Sequence, residues 1–464
     1  MKLSIKDSVG LALVAGTLGA LVVHIGPSGH EARHPTSVAD AGSAMTSAAA
    51  STPVAFVDVN VVPMEGDAVL HRQVVIAQDG FIRQIGPLGV LEPPAGALIV
   101  NGDGTRYLVP GLTDAHVHLP DGAENWLPVF LANGVTTVFN LRGEERHLEL
   151  RDRIRSGEVI GPTVYTSGPF TNEPGVHTPE DAVDAVQAHV RSGYDFVKIH
   201  GDLSAETYNA LVQAGRDEGI AVLGHAPRNL PFSAVIESGQ AGVAHAEELI
   251  YTHFNSLDTR DLDGVAADMA RAGTWLTPTL STFGNIVTQW GSADGVHAGL
   301  GSDMARYLPE SLREDWLDDN PYMGRDPTGR DRIEAMYEFQ HPMIRTFNQA
   351  GIPMLTGTDT PLPVLVPGFS LHNEIEALRN AGLSRYEALA AATRNAGRFV
   401  QQHVDPTASF GTITTGARAD LVLVEEDPLA DLDRLRHPTG VMVRGRWFSR
   451  DALDRMLESA VGND

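Results

Sequence analysis

From Val54 to Val109 the chain runs in short β-branched stretches, Val54-Ala-Phe-Val-Asp-Val, Gln73-Val-Val-Ile-Ala and Phe81-Ile-Arg-Gln-Ile, separated by Gly and Asp turns. Apolar runs of this length between turn residues predict strands of a small β module. The texture returns near the other end in Gly411-Thr-Ile-Thr, Ala419-Asp-Leu-Val-Leu-Val and Val441-Met-Val-Arg-Gly-Arg-Trp-Phe. The two flanks, 53–110 and 408–450, are expected to form one β-sandwich.

Between them, over 111–407, apolar strand patterns alternate with helical ones, as an α/β fold of the TIM (β/α)8 barrel type requires. The strand candidates are Thr113–His118, Val135–Asn140, Pro162–Ser167, Asp195–His200, Ile220–His225, Gly242–His245, Trp275–Thr279 and Pro353–Asp359. Helical patterns include Pro179–Ser192, Ala205–Glu218 and Leu230–Ser238, each stopping next to a glycine. The stretch 283–341 is too long for one loop and helix and carries Trp290, Tyr307, Trp316, Tyr322 and Tyr337. It predicts an insertion over the barrel mouth.

The N-terminus has a different pattern. Met1-Lys2-Leu3-Ser4-Ile5-Lys6 followed by the mostly apolar run Ser8 to Gly26 has the basic and apolar regions of an export signal. Residues 1–26 are therefore expected to act as a signal peptide or N-terminal anchor, and the Ser/Ala/Gly/Pro-rich 27–52 as a flexible tether. The expected location is outside the cytoplasm, either periplasmic or membrane-anchored and facing outward. The 464 residues suffice for a large barrel with an accessory domain, and 42% hydrophobic with 20% charged residues is ordinary globular composition. Acidic residues outnumber basic ones 59 to 34, and a net charge of −25 repels phosphate backbones and argues against nucleic acid as a partner. Without cysteine there is no disulfide, thiolate ligand or cysteine nucleophile. Oligomeric state is not legible.

His116-Val117-His118 places two imidazoles on one side of a strand, because side chains alternate with period two. Alone this is weak, since 18 histidines in 464 residues make about 0.7 such pairs by chance. His225 and His245, however, each end a later barrel strand, and in barrels the C-terminal strand ends converge on the active site. Lys198 stands in the apolar Phe196-Val-Lys-Ile, where an ammonium is costly unless paired or altered. A neutral lysine there can take up carbon dioxide, giving a carbamate that bridges two cations. Asp359 closes the last strand candidate, where a carboxylate can bind metal and accept a proton from water.

Together these residues resemble the amidohydrolase superfamily, in particular its prolidase-like and imidazolonepropionase-like branch. The matching pieces are Pro110-Gly-Leu-Thr-Asp-Ala-His-Val-His, Gly134-Val-Thr-Thr-Val, Phe196-Val-Lys-Ile, Gly224-His-Ala, Ala244-His-Ala-Glu-Glu and Thr356-Gly-Thr-Asp-Thr. Ser370-Leu-His-Asn-Glu and Gly416-Ala-Arg-Ala-Asp-Leu-Val-Leu-Val extend the match toward the C-terminus. The resemblance implies two divalent metal ions, zinc as the first expectation. His116, His118 and Asp359 would hold one ion, His225 and His245 the other, with carbamylated Lys198 between them. It further implies a metal-bridging hydroxide as nucleophile and Asp359 as the catalytic proton carrier. His200, two residues after Lys198, would contact substrate or hold an outer hydrogen bond.

The expected reaction is cleavage of the amide C–N bond of a small peptide or N-acyl amino acid. A cyclic amide, lactone or ester is the alternative within the class, and a non-catalytic envelope protein that binds ligand is the alternative outside it. The third barrel loop, Ser167 to His177, lacks the glycine- and histidine-rich signature of prolidase-like carboxypeptidases, which keeps the substrate class open. Arg228, three residues beyond His225, is the candidate clamp for a substrate carboxylate, with His177, Tyr251 and His253 as further wall residues. The alternative for Arg228 is an ion pair with a surface carboxylate. An oxidoreductase is disfavoured, since no dinucleotide glycine fingerprint opens a βαβ unit.

Overall fold

The computed structural model describes residues 51–318 and 320–461. The expected export segment and nearly all of the tether lie outside them.

Strands from both flanks hydrogen-bond into one eight-stranded sheet. Val54–Val61 is its hub, pairing antiparallel with Leu70–Gln78 and parallel with both Leu98–Asn101 and Tyr107–Pro110. Tyr107–Pro110 then pairs with the C-terminal strand Leu421–Val424, and the hairpin Gly440–Val443/Arg446–Ser449 completes the far side. Phe56, Val61, Val75, Leu108, Leu421 and Met442 form its core, with Trp447 edge-on to Phe56 at 5.1 Å. The expected strand at Gly411–Thr414 is absent; that segment is held through Ile413, whose amide bonds Pro63 O at 3.0 Å. Arg418 ties this part to the barrel by donating to Thr137 Oγ1 at 2.7 Å.

The middle of the chain is a TIM-like barrel in an α/β fold. Leu112–Val117, Val135–Asn140 and Thr163–Thr166 form one parallel sheet, and Phe196–Ile199, Ala221–Gly224, Gly242–Ala244 and Trp275–Thr277 another. Most are buried at every position, as expected for strands covered on both faces, which explains their unbroken apolar runs. Isolated bridges join the two arcs, Ser167 to Phe196 on one side. On the other, the expected eighth strand is not a regular strand. The segment touches its neighbours through single bridges, Leu276 to Met354 and Val117 to Thr360. Its Asp359 sits at φ 55°, a left-handed conformation that departs from regular strand geometry.

The predicted helices Pro179–Ser192 and Ala205–Glu218 form as expected, and the third begins two residues late as Phe232–Ser238; each stops at a left-handed glycine. The insertion is helical, with Asp294–Leu300 and Glu310–Asp318 packed around Val296, Leu308, Trp316 and Val366. Its end is absorbed in the long helix Arg330–Gln349.

Candidate active site

Five segments deliver the predicted ligands to one place at the C-terminal strand ends. His116 lies in Leu112–Val117 with His118 just past it; Lys198 lies in Phe196–Ile199; His225 and His245 directly follow Ala221–Gly224 and Gly242–Ala244. Gly224 permits the approach beneath His225, because a Cβ there would collide with Ile199 O and the Lys198 side chain.

His116 Nε2 lies 3.3 Å from His118 Nε2, 3.2 Å from Lys198 Nζ and 3.2 Å from Asp359 Oδ1. Asp359 Oδ1 is also 2.8 Å from His118 Nε2, and Oδ2 is 3.9 Å from His245 Nε2. The rings of His116 and His225 lie 4.7 and 4.8 Å from that of His245. His116 and Lys198 are fully buried, and His245, His225 and Asp359 nearly so.

This burial decides protonation. It drives His116 and His225 well below the ordinary histidine value, with neighbouring positive groups adding to the effect, and takes His245 to about 3. Burial also lowers the Lys198 ammonium to about 8, against the pull of Asp359 and Glu248. Burial alone would raise the Asp359 carboxyl, but the hydrogen bond from His118 and the surrounding positive groups outweigh it and hold it below the usual value. The cluster thus offers neutral imidazoles at His116, His225 and His245 and a carboxylate at Asp359.

An outer layer orients these groups. Asp114, two residues before His116, accepts from the His116 amide at 3.3 Å and from the Thr358 amide and hydroxyl at 3.0 and 2.7 Å. It pins the first strand to the segment carrying Asp359, whose amide bonds His116 O at 2.7 Å. His245 Nδ1 is hydrogen-bonded to Thr279 Oγ1 at 2.8 Å, and His225 Nδ1 lies 3.4 Å from Glu248 Oε1. Asp114, Thr279 and Glu248 escaped the sequence reading. Asp114 alone had a signal, the period-two row Asp114, His116, His118.

Arg228 is paired with a buried carboxylate, neither turned outward to a surface one nor presenting this edge to a substrate. Its Nε lies 3.2 and 3.1 Å from the two Glu248 oxygens, its Nη2 is 2.6 Å from Oε1, and the guanidinium stacks over Tyr251 at 4.1 Å. His200 stacks on Phe170, ring centres 4.2 Å apart, and lies 4.7 Å from His225. Of the remaining wall residues, His253 is paired with Asp261 at 2.7 Å, and His177 is exposed ahead of Pro179–Ser192. Tyr251 and Glu247, four apart on Glu247–Thr252, each bury an oxygen that has no hydrogen-bond partner among the described residues. Tyr322 from the insertion is 2% exposed, and burial pushes its phenol up, with the charges of Asp359 and Glu247 adding to the effect.

The sequence profile of the amidohydrolase family matches residues 107–448, which takes in every one of these groups. The chain belongs to the amidohydrolase family. It is 26% identical over 386 residues to an uncharacterised protein of Mycobacterium tuberculosis, covering 77% of this chain and 89% of that one. It is 22% identical over 463 residues to the ochratoxinase of Aspergillus niger, covering 86% and 87%. Among solved structures, a putative prolidase from Bifidobacterium longum superposes with a TM-score of 0.67 at 24% identity, covering 88% of this chain and 99% of that one. As a member of this family the chain is a hydrolase acting on a small-molecule substrate. Members of the family typically use metal, and one donor atom each from His116, His245 and Asp359 lies within 4.8 Å of the others, a group able to hold an ion. Imidazole nitrogens crowded on a carboxylate oxygen fit a divalent cation, which would satisfy them together.

Proposed function

We propose that this amidohydrolase cleaves the C–N bond of a small linear amide, a dipeptide or an N-acyl amino acid, at a centre of two divalent ions, zinc by preference. The observation that carries the proposal is the meeting of buried His116, Lys198, His225, His245 and Asp359 with half-buried His118, from five separate segments, in one cluster. His116, His118 and Asp359 would hold one ion, His225 and His245 the other, and Lys198 as its carbamate would serve both. Ions bound there supply Lewis-acid polarisation of a carbonyl and make water acidic near neutral pH.

The chain's own groups do the rest. With its ammonium lowered to about 8, part of Lys198 is the free amine at neutral pH. Its lone pair attacks carbon dioxide, and loss of one proton leaves the N-carboxylate. Asp359, ionised and facing the cluster, takes a proton from the attacking water and returns it to the leaving nitrogen as the C–N bond breaks. His225 keeps its orientation through Glu248, and His245 through Thr279. The unpaired oxygens of Glu247 and Tyr251 offer hydrogen-bonding partners to a polar substrate.

The test is a panel of N-acyl amino acids, dipeptides, cyclic amides and lactones, assayed with zinc-loaded protein beside elemental analysis. Turnover of linear amides, lost in His116→Ala together with the metal, supports the proposal. Turnover confined to lactones or cyclic amides would replace the substrate class. A metal-free protein without turnover would favour the ligand-binding alternative.

A further inference from the structure

Glu374, in the Ser370-Leu-His-Asn-Glu stretch, has no part in the ligand cluster, yet it is completely buried on the helix Phe369–Asn380. Its partners include main-chain amides, and the Ser281 side chain also turns toward it. Oε1 accepts from the Leu280 amide at 3.1 Å and Oε2 from the Ser281 amide at 2.7 Å, with the Thr279 amide also turned toward the carboxyl. These amides open the helix Leu280–Gln289, whose cap position is Thr279.

A cap threonine ordinarily folds its hydroxyl back onto the second or third amide of its own helix. Thr279 does not. It has the left-handed conformation, φ 53° and ψ 41°, makes no side-chain cap bond, and spends its hydroxyl on His245 Nδ1 at 2.8 Å. The same first turn sends Thr282 Oγ1 to Thr358 O at 2.7 Å, next to Asp359.

We infer that Glu374 is a positioning residue that caps Leu280–Gln289 in place of Thr279, so that the Thr279 hydroxyl is free to fix His245 with Nε2 toward the ion and the helix start braces the Asp359 segment. Burial pushes the Glu374 carboxyl up to about 7 against the pull of these amides. Its two oxygens accept from the helix-opening amides, whose dipole favours the ionised form, and so can hold a strained threonine in place. The inference rests on the metal reading of the cluster, but one of its readouts does not.

The experiment compares Glu374→Gln with Ser384→Ala, which removes the cap of Arg385–Ala391, a helix outside the ligand cluster. Zn2+ affinity is measured by competition with a chromogenic chelator, thermal stability is followed in parallel, and the His245 tautomer is read from 15N-histidine spectra of metal-free protein. In Glu374→Gln, Zn2+ should bind at least tenfold more weakly and His245 should lose its single Nδ1–H form. Ser384→Ala should lose stability with neither change. Thr279→Val should repeat the loss of affinity, and the double variant with Glu374→Gln should add little to either single one. Unchanged affinity and tautomer in Glu374→Gln, at a stability loss like that of Ser384→Ala, overturn the inference. If Glu374→Gln does not fold, Glu374→Asp carries the comparison, and failure of both to fold makes Glu374 a folding residue and equally overturns it. A wild-type protein that binds no Zn2+ but holds His245 in one tautomer, lost in the variant, would refute the metal reading while upholding the relay.

Discussion

Replacing Arg228 with methionine should destabilise the protein more than replacing Arg228 and Glu248 together. The Glu248 side chain is 1% exposed and that of Arg228 28%, and they meet through Nε and Nη2 at 2.6 to 3.2 Å. In Arg228→Met the Glu248 carboxylate stays buried without its main counter-charge, which costs about 3 to 5 kcal/mol for a buried pair broken from one side. Loss of the stack on Tyr251 adds about 1 kcal/mol. In Arg228→Met/Glu248→Leu both charges are gone, and a well-packed apolar pair is often neutral against the original, so most of the loss should return. Urea titration of chelator-treated protein separates this from metal binding. If the single variant is as stable as the double one, Glu248 is not a buried charge that depends on Arg228, and the reasoning fails. The same variant decides whether Arg228 recognises substrate. As the partner of Glu248 it should lower kcat/KM for a free acid and for its amide alike, whereas a carboxylate clamp would penalise the acid alone.

His116→Ala should lose metal and turnover together, checked by elemental analysis of protein purified without chelator. Lys198→Ala should be inactive and partly recover with a short carboxylic acid plus zinc; an unmodified ammonium in the density of active, loaded enzyme would contradict that. Asp359→Asn should keep part of its metal while kcat falls by about 10² to 10⁴, the range of proton-transfer catalysis, and near-normal turnover would remove Asp359 from the reaction. Away from the site, burial lowers His147 and His189 to about 4 and His372 to about 3. Between about pH 4 and 6.5 the unfolded chain therefore binds more protons, so stability is lost as pH falls through that window and regained as it rises. His189→Gln should flatten the slope of urea midpoint against pH, and an unchanged slope would exclude His189 as a contributor.

What the chain announced in advance was whatever short-range periodicity encodes. Fully buried parallel strands read as apolar runs, and the polar residue in or directly after each run stood out because it broke it: Lys198, His225 and His245. Glycine stops marked helix ends for the same local reason. The eighth strand was overread because Met354-Leu-Thr-Gly-Thr-Asp has strand composition, while left-handed Asp359 and single bridges on either side replace the ladder. Gly411–Thr414 was overread likewise. Arg228 was placed beside the cluster correctly, but its partner Glu248 lies 20 residues on, and nothing local marks that carboxylate as buried. Glu374 lies 94 residues from the amide it holds.

Three positions in and beside the cluster share a conformation. His245, Thr279 and Asp359 all have positive φ, at 73°, 53° and 55°, and none is glycine. For a β-branched residue such as Thr279 this conformation is a true outlier, and each instance costs on the order of 1 to 3 kcal/mol. Local preference opposes Thr279 most strongly, and contacts made from elsewhere hold all three. The contacts are visible: Asp359 is held by its amide bond to His116 O, His245 by its amide bond to Thr277 O, and Thr279 lies beside the Glu374 carboxyl. Two of the three are proposed ligands and the third orients one of them. Strain at a strand end turns the side chain out of the pleat direction, and that turn aims a His or Asp across the barrel mouth rather than along its wall. The ligand identities were legible because chemistry restricts them to a few residue types. Their aim was not, because it is written in bonds that join residues tens to hundreds of positions apart.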